Sequence, residues 1–175
     1  FFPYQKKRSL SVTVLGGGSN VLISDDGLKG LVIKNEIGGI SYVEKEEEVV
    51  VTSGAGVWWD DLVQETVAKG LWGMENLSAI PGTVGASPIQ NVGAYGVEVS
   101  ELITEVRVYD MLKDLFIPMT PKECQFGYRD SIFKTEEGKR FVVVGVTYNL
   151  SKVAKPRLEY KDLMERFGGG GGGGG

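Results

Sequence analysis

Two glycine-rich segments constrain this chain more than any other feature of its sequence. Loop 1 (residues 15–22) reads LGGGSNVL, and loop 2 (residues 80–96) reads IPGTVGASPIQNVGAYG. Consecutive glycines allow positive φ and a close approach of the backbone, so successive N–H groups can form a concave anion-binding site. Loop 2 is long for a compact domain but scarcely charged, which is typical of a functional loop and not of disorder. Together, the two loops favour a phosphate-containing cofactor.

Loop 1 does not fit the dinucleotide-binding turn GxGxxG, in which the diphosphate lies at the N-terminus of the following helix. Val21 occupies the position of the third glycine, and a β-branched run follows it. A Rossmann site is therefore excluded. Backbone donors, helped by the side chains of Ser19 and Asn20, suit an acidic protein because they bind a diphosphate without a basic patch. Taken alone, each loop is equally compatible with a structural role, as a hairpin turn or a tightly packed loop.

The composition excludes several classes of function. The 175 residues include no histidine and one cysteine, Cys124, which rules out Ser-His-Asp chemistry, His-ligated zinc and an internal disulfide. A net charge of −4 without a long basic run argues against nucleic-acid binding. No apolar run is long enough to span a membrane, and the N-terminus lacks a secretory signal pattern. We expect a cytoplasmic monomer with no metal and no membrane partner, in which an organic cofactor supplies any redox chemistry.

Short β-branched runs bounded by turn residues occupy much of the remaining chain. They predict strands at 11–15, 21–24, 31–34, 49–52, 103–109, 115–119 and 140–150. One helix is predicted over 57–70, with Gly70 as its C-terminal cap. Its apolar stripe is formed by Trp58, Leu62, Val63, Thr66 and Val67. We expect both Trp58 and Trp59 to pack in the core, in an α+β domain with more strand than helix.

Four blocks of the sequence resemble the bacterial UDP-N-acetylenolpyruvoylglucosamine reductases, also called UDP-N-acetylmuramate dehydrogenases. They are loop 1, loop 2, residues 126–134 (FGYRDSIFK) and residues 158–163 (LEYKDL), in matching order and spacing. The resemblance implies an α+β, two-subdomain FAD-binding domain of the vanillyl-alcohol-oxidase/p-cresol-methylhydroxylase type, with the C-terminal substrate domain absent. It also implies that NADPH reduces FAD, which then passes hydride to the enolpyruvyl group of a UDP-sugar in peptidoglycan precursor synthesis.

The resemblance also implies roles for individual residues. Arg129 would bind the enolpyruvyl carboxylate and stabilise the charge that develops after hydride transfer; the structural alternative is an ion pair with Asp130. Tyr160 would lie on a mobile loop that closes over the substrate, unless it is a half-buried anchor. Other substrate-binding residues would be Tyr128, Gln90 and Asn20. The implied cofactor-binding residues are Leu15, Gly16, Gly17, Gly18, Ser19, Asn20, Val21, Leu22, Pro81, Gly82, Thr83, Gly85, Ala86, Ser87, Ile89, Gln90, Asn91, Gly93 and Ala94.

The predicted domain organisation has two FAD-binding subdomains. Residues 1–45 form the first, which is shortened at its N-terminal side, and residues 46–150 form the second. Residues 151–167 begin the connection toward the absent substrate domain, which in this family carries a serine proton donor and a late glutamate. The eight glycines 168–175 are a linker or backbone without assigned side chains. Two alternatives remain: an FAD-dependent oxidase of the same superfamily, or an inactive nucleotide-binding fragment.

Overall fold

The computed structural model describes residues 10–19 and 21–154, and it confirms the predicted α+β class. Its strands are β1 (Val12–Leu15), β2 (Leu31–Lys34), β3 (Ile40–Glu44), β4 (Glu48–Gly54), β5 (Gly93–Ala94), β6 (Val97–Glu98), β7 (Ile103–Asp110), β8 (Leu115–Met119) and β9 (Phe141–Ser151). Its helices are α1 (Trp59–Ala68) and α2 (Pro121–Cys124), accompanied by short 3₁₀ turns. Within these described ranges, no helix is both long and apolar enough to cross a membrane.

The largest sheet is antiparallel and has five strands in the order β3-β4-β9-β7-β8. Strand β9 lies at its centre and pairs with β4 from Glu48↔Ser151 to Gly54↔Gly145. Alternate residues of β4, including Val49 and Val51, are buried, as the two-residue period of a half-buried strand requires. The predicted strands match β2 and β8 and lie within one residue of β7 and β9. Strand β3 was not predicted.

Helix α1 covers the apolar face of this sheet. It buries Leu62, Val63 and Thr66 together with Trp59, whose ring meets Tyr148 of β9 edge-on at a centroid distance of 6.1 Å. Fully burying one such aliphatic side chain contributes about 1.5–3 kcal/mol. The helix is therefore held mainly by this packing, since a ten-residue helix is marginal by itself.

The predicted ends and apolar stripe of α1 need correction. The helix begins at Trp59 instead of Val57, and both Trp58 and Val67 are exposed. Trp58 lies before the first turn with an extended backbone (φ −64°, ψ 134°), so it does not continue the helical stripe that buries Trp59. The predicted cap at Gly70 is confirmed: its φ is +72°, and its N–H donates to Val67 O at 2.9 Å. Glycine takes this left-handed conformation without the steric cost of a side chain.

A second sheet contains only β1 and β2, which are parallel and in register from Val12↔Leu31 to Leu15↔Lys34. Loop 1 leaves the carboxyl end of β1, and the chain crosses over before β2 begins. The predicted strand at 21–24 is wrong, because these residues form no strand and Leu22 is fully exposed. Residues 21–24 carry the β-branched pattern, but a strand forms only where its backbone can pair with a neighbouring strand.

Residues 35–39 connect the small sheet to the large one. Asn35 donates its backbone N–H to Leu15 O at 2.8 Å and its side-chain Nδ2 to Val143 O at 2.8 Å, so it bonds to both sheets. Strand β3 follows immediately and pairs with β4, although it precedes the predicted subdomain boundary at residue 45. The boundary between the sheets thus lies before Ile40, while the predicted division into two FAD-binding subdomains stays a prediction.

Candidate functional site

Loop 1 and loop 2 pack directly against each other. A Cβ added at Gly16 would lie 2.6 Å from Thr83 Oγ1, and one added at Gly82 would lie 3.3 Å from Ser19 Oγ. The backbone of Gly16 therefore lies closer to loop 2 than a residue with a side chain at this position would allow. Gly16 and Thr83 are 67 positions apart in the sequence, so two distant glycine-rich segments form one continuous surface, as a shared ligand site requires.

Trp58 connects the two loops. A Cβ at Gly17 would lie 2.5 Å from Trp58 Cζ3, so the indole ring lies against loop 1. The backbone of Trp58 forms an antiparallel bridge with Thr83 of loop 2, where Val84 N–H donates to Val57 O at 2.9 Å. Trp58 as a whole remains 54% exposed. The prediction that Trp58 packs in the core is wrong, and the residue belongs to the candidate site.

The interior of loop 2 is buried and internally hydrogen-bonded. Ser87 donates its hydroxyl to Val84 O at 2.8 Å and lies 3.3 Å from the hydroxyl of Tyr148 on β9. Gly85 is buried with its N–H on Ala55 O at 2.8 Å. Burial raises the pKa of Tyr148 well above its usual value, and the bond from Ser87 opposes this only in part. These side chains form the base of the loop; a role for Ser87 and Gly85 in cofactor binding stays a prediction.

Several other residues predicted to bind the cofactor lie at the surface. Pro81 is exposed, and partly exposed positions in loop 2 are Ala86, Ile89, Gln90, Gly93 and Ala94. In loop 1, Leu15 and Gly16 are partly buried, whereas the exposed residues are Gly17, Gly18, Ser19, Val21 and Leu22. Asn20 and Tyr160 lie outside the described residues. The accessible set is thus the outer surface of both loops.

Arg129 occupies a tight turn that is bonded to loop 2. Gly127 and Asp130 exchange backbone hydrogen bonds of 3.0 and 3.2 Å across the turn, and Arg129 has a left-handed φ of +51°. Its Nη2 donates to Gly93 O at 2.7 Å. The alternative ion pair with Asp130 is not formed in the described part of the chain. Tyr128, at the tip of the turn, is 85% exposed.

A cleft of about 980 Å³ opens beside this turn, which is large enough for a substrate-sized molecule. Among the described residues, six non-glycine residues have left-handed φ. Three of these six line the cleft, namely Ala79, Tyr95 and Arg129. A fourth, Asn91, is bonded to its wall through Glu98. Each such conformation costs on the order of 1 kcal/mol or more, and such strain concentrates at functional sites. The geometry therefore marks this cleft independently of the sequence motifs.

The residues present fit a nucleotide diphosphate. Gly18 has φ +75° with nothing within 4 Å of an added Cβ, so loop 1 is open on that side. Its backbone N–H groups and the exposed Ser19 hydroxyl are neutral donors, which suit a diphosphate bound in an acidic protein. Among the described residues, no cluster of three or more His, Cys, Asp or Glu side chains could hold a metal ion.

Comparison with known proteins identifies relatives of this chain. A family model described as an FAD binding domain matches residues 3–112. A UDP-N-acetylenolpyruvoylglucosamine reductase of Alcanivorax borkumensis is 46% identical over 156 residues, covering 89% of this chain and 45% of the relative. The corresponding reductase of Cupriavidus pinatubonensis is 45% identical over 160 residues, covering 91% and 47%. The chain spans about half the length of the curated relatives it matches.

Solved structures agree with these sequence matches. The UDP-N-acetylenolpyruvylglucosamine reductase of Thermus caldophilus is similar at a TM-score of 0.68 and 30% identity, covering 93% of this chain and 56% of that one. A cholesterol oxidase from B. sterolicum matches at 0.60 and 17% identity, covering 86% and 31%, which shows a shared fold alone. The predicted resemblance to these reductases and the predicted fold type are confirmed.

Proposed function

We propose a function from one premise: this chain belongs to the FAD-binding domain family. The complete gene product reduces the enolpyruvyl group of UDP-N-acetylglucosamine enolpyruvate to UDP-N-acetylmuramate, with NADPH as the hydride donor. This chain holds FAD on the surface formed by loop 1 and loop 2. The observation that carries the proposal is that these loops pack together while the turn of Arg129 is bonded to loop 2.

FAD, when bound, supplies the acceptance and donation of hydride that no side chain of this protein can perform. The outer surface of both loops binds its diphosphate through backbone N–H groups. Trp58 fixes the separation of the loops, and the buried base formed by Gly85 and Ser87 holds loop 2 rigid. Rigid placement of donors reduces the ordering that binding would otherwise require.

Arg129 binds the carboxylate of the enolpyruvyl group. Its guanidinium has five N–H donors, and one of them donates to Gly93 O. A planar fork of donors matches a carboxylate in a bidentate arrangement. The fixed positive charge also stabilises the negative charge that develops on the substrate after hydride transfer.

Other groups complete the proposed substrate site. Tyr128 lines the same cleft as Arg129, and its side chain is exposed. Gln90 is a further proposed substrate-binding residue, and it is partly exposed in loop 2. Asn20 and Tyr160 are assigned by the resemblance alone. NADPH and the UDP-sugar are intracellular nucleotides, so the reaction takes place in the cytoplasm. The enzyme acts as a monomer.

Half-reactions test the assignment of Arg129. In the complete gene product loaded with FAD, Arg129→Ala should leave flavin reduction by NADPH within about twofold of the wild type. Reoxidation of the reduced flavin by the enolpyruvyl sugar should slow by about 10²–10³-fold. Arg107→Ala is a matched control, because Arg107 is an exposed arginine on β7 outside the cleft. Equal loss in both half-reactions would contradict the assigned role.

The wild-type protein tests the reaction itself. It should be yellow, and it should consume NADPH rapidly only when the enolpyruvyl sugar is present. Fast reoxidation by oxygen without any response to the sugar would replace the proposal with an oxidase of the same superfamily. Colourless protein that cannot be reconstituted with FAD would leave only the non-catalytic alternative.

A further inference from the structure

Asn91 was predicted to bind the cofactor, but its side chain is already engaged within the protein. The residue is 1% exposed. Its Nδ2 donates to Gly127 O at 2.9 Å and to Glu98 Oε2 at 3.1 Å, and its Oδ1 accepts from Ser100 N–H at 3.1 Å. An amide nitrogen has two hydrogens, so both donors are used. The reversed amide orientation would place oxygen against a carbonyl and a carboxylate, which fixes the assignment.

The partner of Asn91 lies at the base of the Arg129 turn. Gly127 begins the turn, and Ser131, which follows it, donates its hydroxyl to Ile89 O of loop 2 at 2.6 Å. Arg129 is therefore bracketed by two side-chain bonds to loop 2, one before and one after it in the sequence. Its own bond to Gly93 O is a third connection. These three hydrogen bonds connect the turn to loop 2.

The backbone conformation of Asn91 supports the same role. Its φ is +43°, a left-handed value that asparagine adopts more readily than most side chains. This conformation brings one amide within reach of the turn, the carboxylate of Glu98 and the backbone of Ser100. Three separate segments are joined by a single side chain.

We propose that Asn91 is a positioning residue, which holds the turn through Gly127 O and so places the Arg129 guanidinium at the cleft, and that its side chain does not bind the cofactor. This inference rests on the proposed function only in the kinetic test, which uses reduction of the enolpyruvyl sugar to measure the effect on Arg129.

The main test is a double-mutant cycle in the complete FAD-loaded gene product. Asn91→Gly removes the three bonds while keeping a backbone that tolerates positive φ. FAD content and flavin reduction by NADPH should be unchanged, while kcat/KM for the enolpyruvyl sugar should fall about tenfold, the loss expected for about 1.4 kcal/mol. In an Arg129→Ala background, the same change should cost less than about twofold, because Asn91 acts through Arg129.

Two further variants complete the design. Asn91→Asp keeps the size and the left-handed tolerance but replaces both donors by an oxygen, so it should give the same pattern if the glycine variant folds poorly. Gln125→Gly is the matched control, since Gln125 has φ +50° at the end of α2 and is exposed. Release of FAD, an equal loss of flavin reduction, or an undiminished effect in the Arg129→Ala background would each overturn the proposal.

Hydrogen exchange tests the positioning without relying on any reaction. Deuterium uptake by peptides covering 126–131 should rise in Asn91→Gly and stay unchanged in Gln125→Gly, while peptides from β9 keep their protection. Unchanged uptake at 126–131 would overturn the proposal whatever the kinetics show. Increased uptake in a protein whose wild type ignores the enolpyruvyl sugar would uphold the positioning and refute the proposed function.

Discussion

Loop 1 and loop 2 share a glycine-rich composition but differ in how they are held. The tip of loop 1 is exposed, and its close contacts run through Gly16 and Gly17 to Thr83 and Trp58. Loop 2 is largely buried at 82–88 and rests on the central strand through Ser87 and Tyr148. The comparison shows two uses of glycine. In loop 1 it lets an exposed backbone approach neighbouring residues closely, and in loop 2 it allows dense packing in the interior. Stability should depend on loop 2, and ligand affinity on loop 1.

The largest effect on stability should follow from filling space beneath loop 2. In Gly85→Ala the new Cβ would lie 2.7 Å from Ala55 Cβ and 3.1 Å from Ala55 O, where backbone must move. Overpacking of this kind costs about 1–3 kcal/mol. Urea unfolding should show that loss, whereas Gly38→Ala, which meets nothing within 4 Å, should stay within about 0.5 kcal/mol of wild type. Equal stability of the two variants would contradict a packed base.

Serine-to-alanine changes separate the two loops directly. Ser87→Ala should lower the free energy of unfolding by about 1–2 kcal/mol, because it leaves the buried Val84 carbonyl and the Tyr148 hydroxyl without this partner. Ser19→Ala should change stability by less than about 0.5 kcal/mol, since Ser19 is exposed, but should weaken FAD binding. Calorimetric unfolding and FAD titration of both variants measure the contrast. If Ser19→Ala were the more destabilising change, the proposed difference between the two loops would be wrong.

Gly17→Ala should affect binding more than folding. Its Cβ would lie 2.5 Å from the ring of Trp58, and an exposed ring can swing aside at little cost in stability. Such a shift alters the spacing of the loops, so the Kd for FAD should rise about tenfold, equivalent to about 1.4 kcal/mol. Adding Trp58→Ala should recover part of the affinity by removing the clash. A double variant that binds FAD no better than Gly17→Ala would show that the ring does not set the spacing.

The smallest effect concerns alkaline pH. Burial raises the pKa of Tyr148 above its unfolded value of about 10, so the folded state keeps a proton that the unfolded state loses. The contribution of this group to the free energy of unfolding is fully present below about pH 9. It declines as the pH rises past 10, and about 0.8 kcal/mol is lost at pH 10.5. Tyr148→Phe should remove this part of the decline between pH 8 and 10.5, as measured by urea unfolding. An unchanged slope would place the titration elsewhere.

Much of the large sheet could be predicted from the sequence, because its strands carry their own hydrophobic pattern. Strand β9 is a long valine-rich run, and β8 lies between clear turn residues. The same reasoning failed at 21–24, where the pattern exists without a pairing neighbour, and it missed β3. Pairing partners are a property of the fold, which no local run of residues contains.

The site was predictable in its parts but not in its arrangement. The sequence pointed to both loops and to Arg129 as candidates, yet it treated every polar residue of loop 2 alike. Ser87 and Asn91 are buried and bonded inside the protein, because buried polar groups need partners. Local sequence does not say which way a polar side chain points. Trp58 was missed for the same reason, since two adjacent tryptophans look equally apolar.

The central place of β9 has a consequence for how the protein is made. Strand β9 is the last strand of the large sheet in chain order, yet it pairs with both β4 and β7, and its partner Glu48 lies about a hundred residues earlier than Ser151. At about 5–20 residues per second, a ribosome exposes β3 and β4 for several seconds before their neighbour emerges. During that interval the base of loop 2 cannot form, because Tyr148 of β9 has not yet emerged. The pairing edge of β4 therefore stays exposed on the nascent chain until β9 is released, and slow, long-range strand pairing of this kind is prone to aggregation.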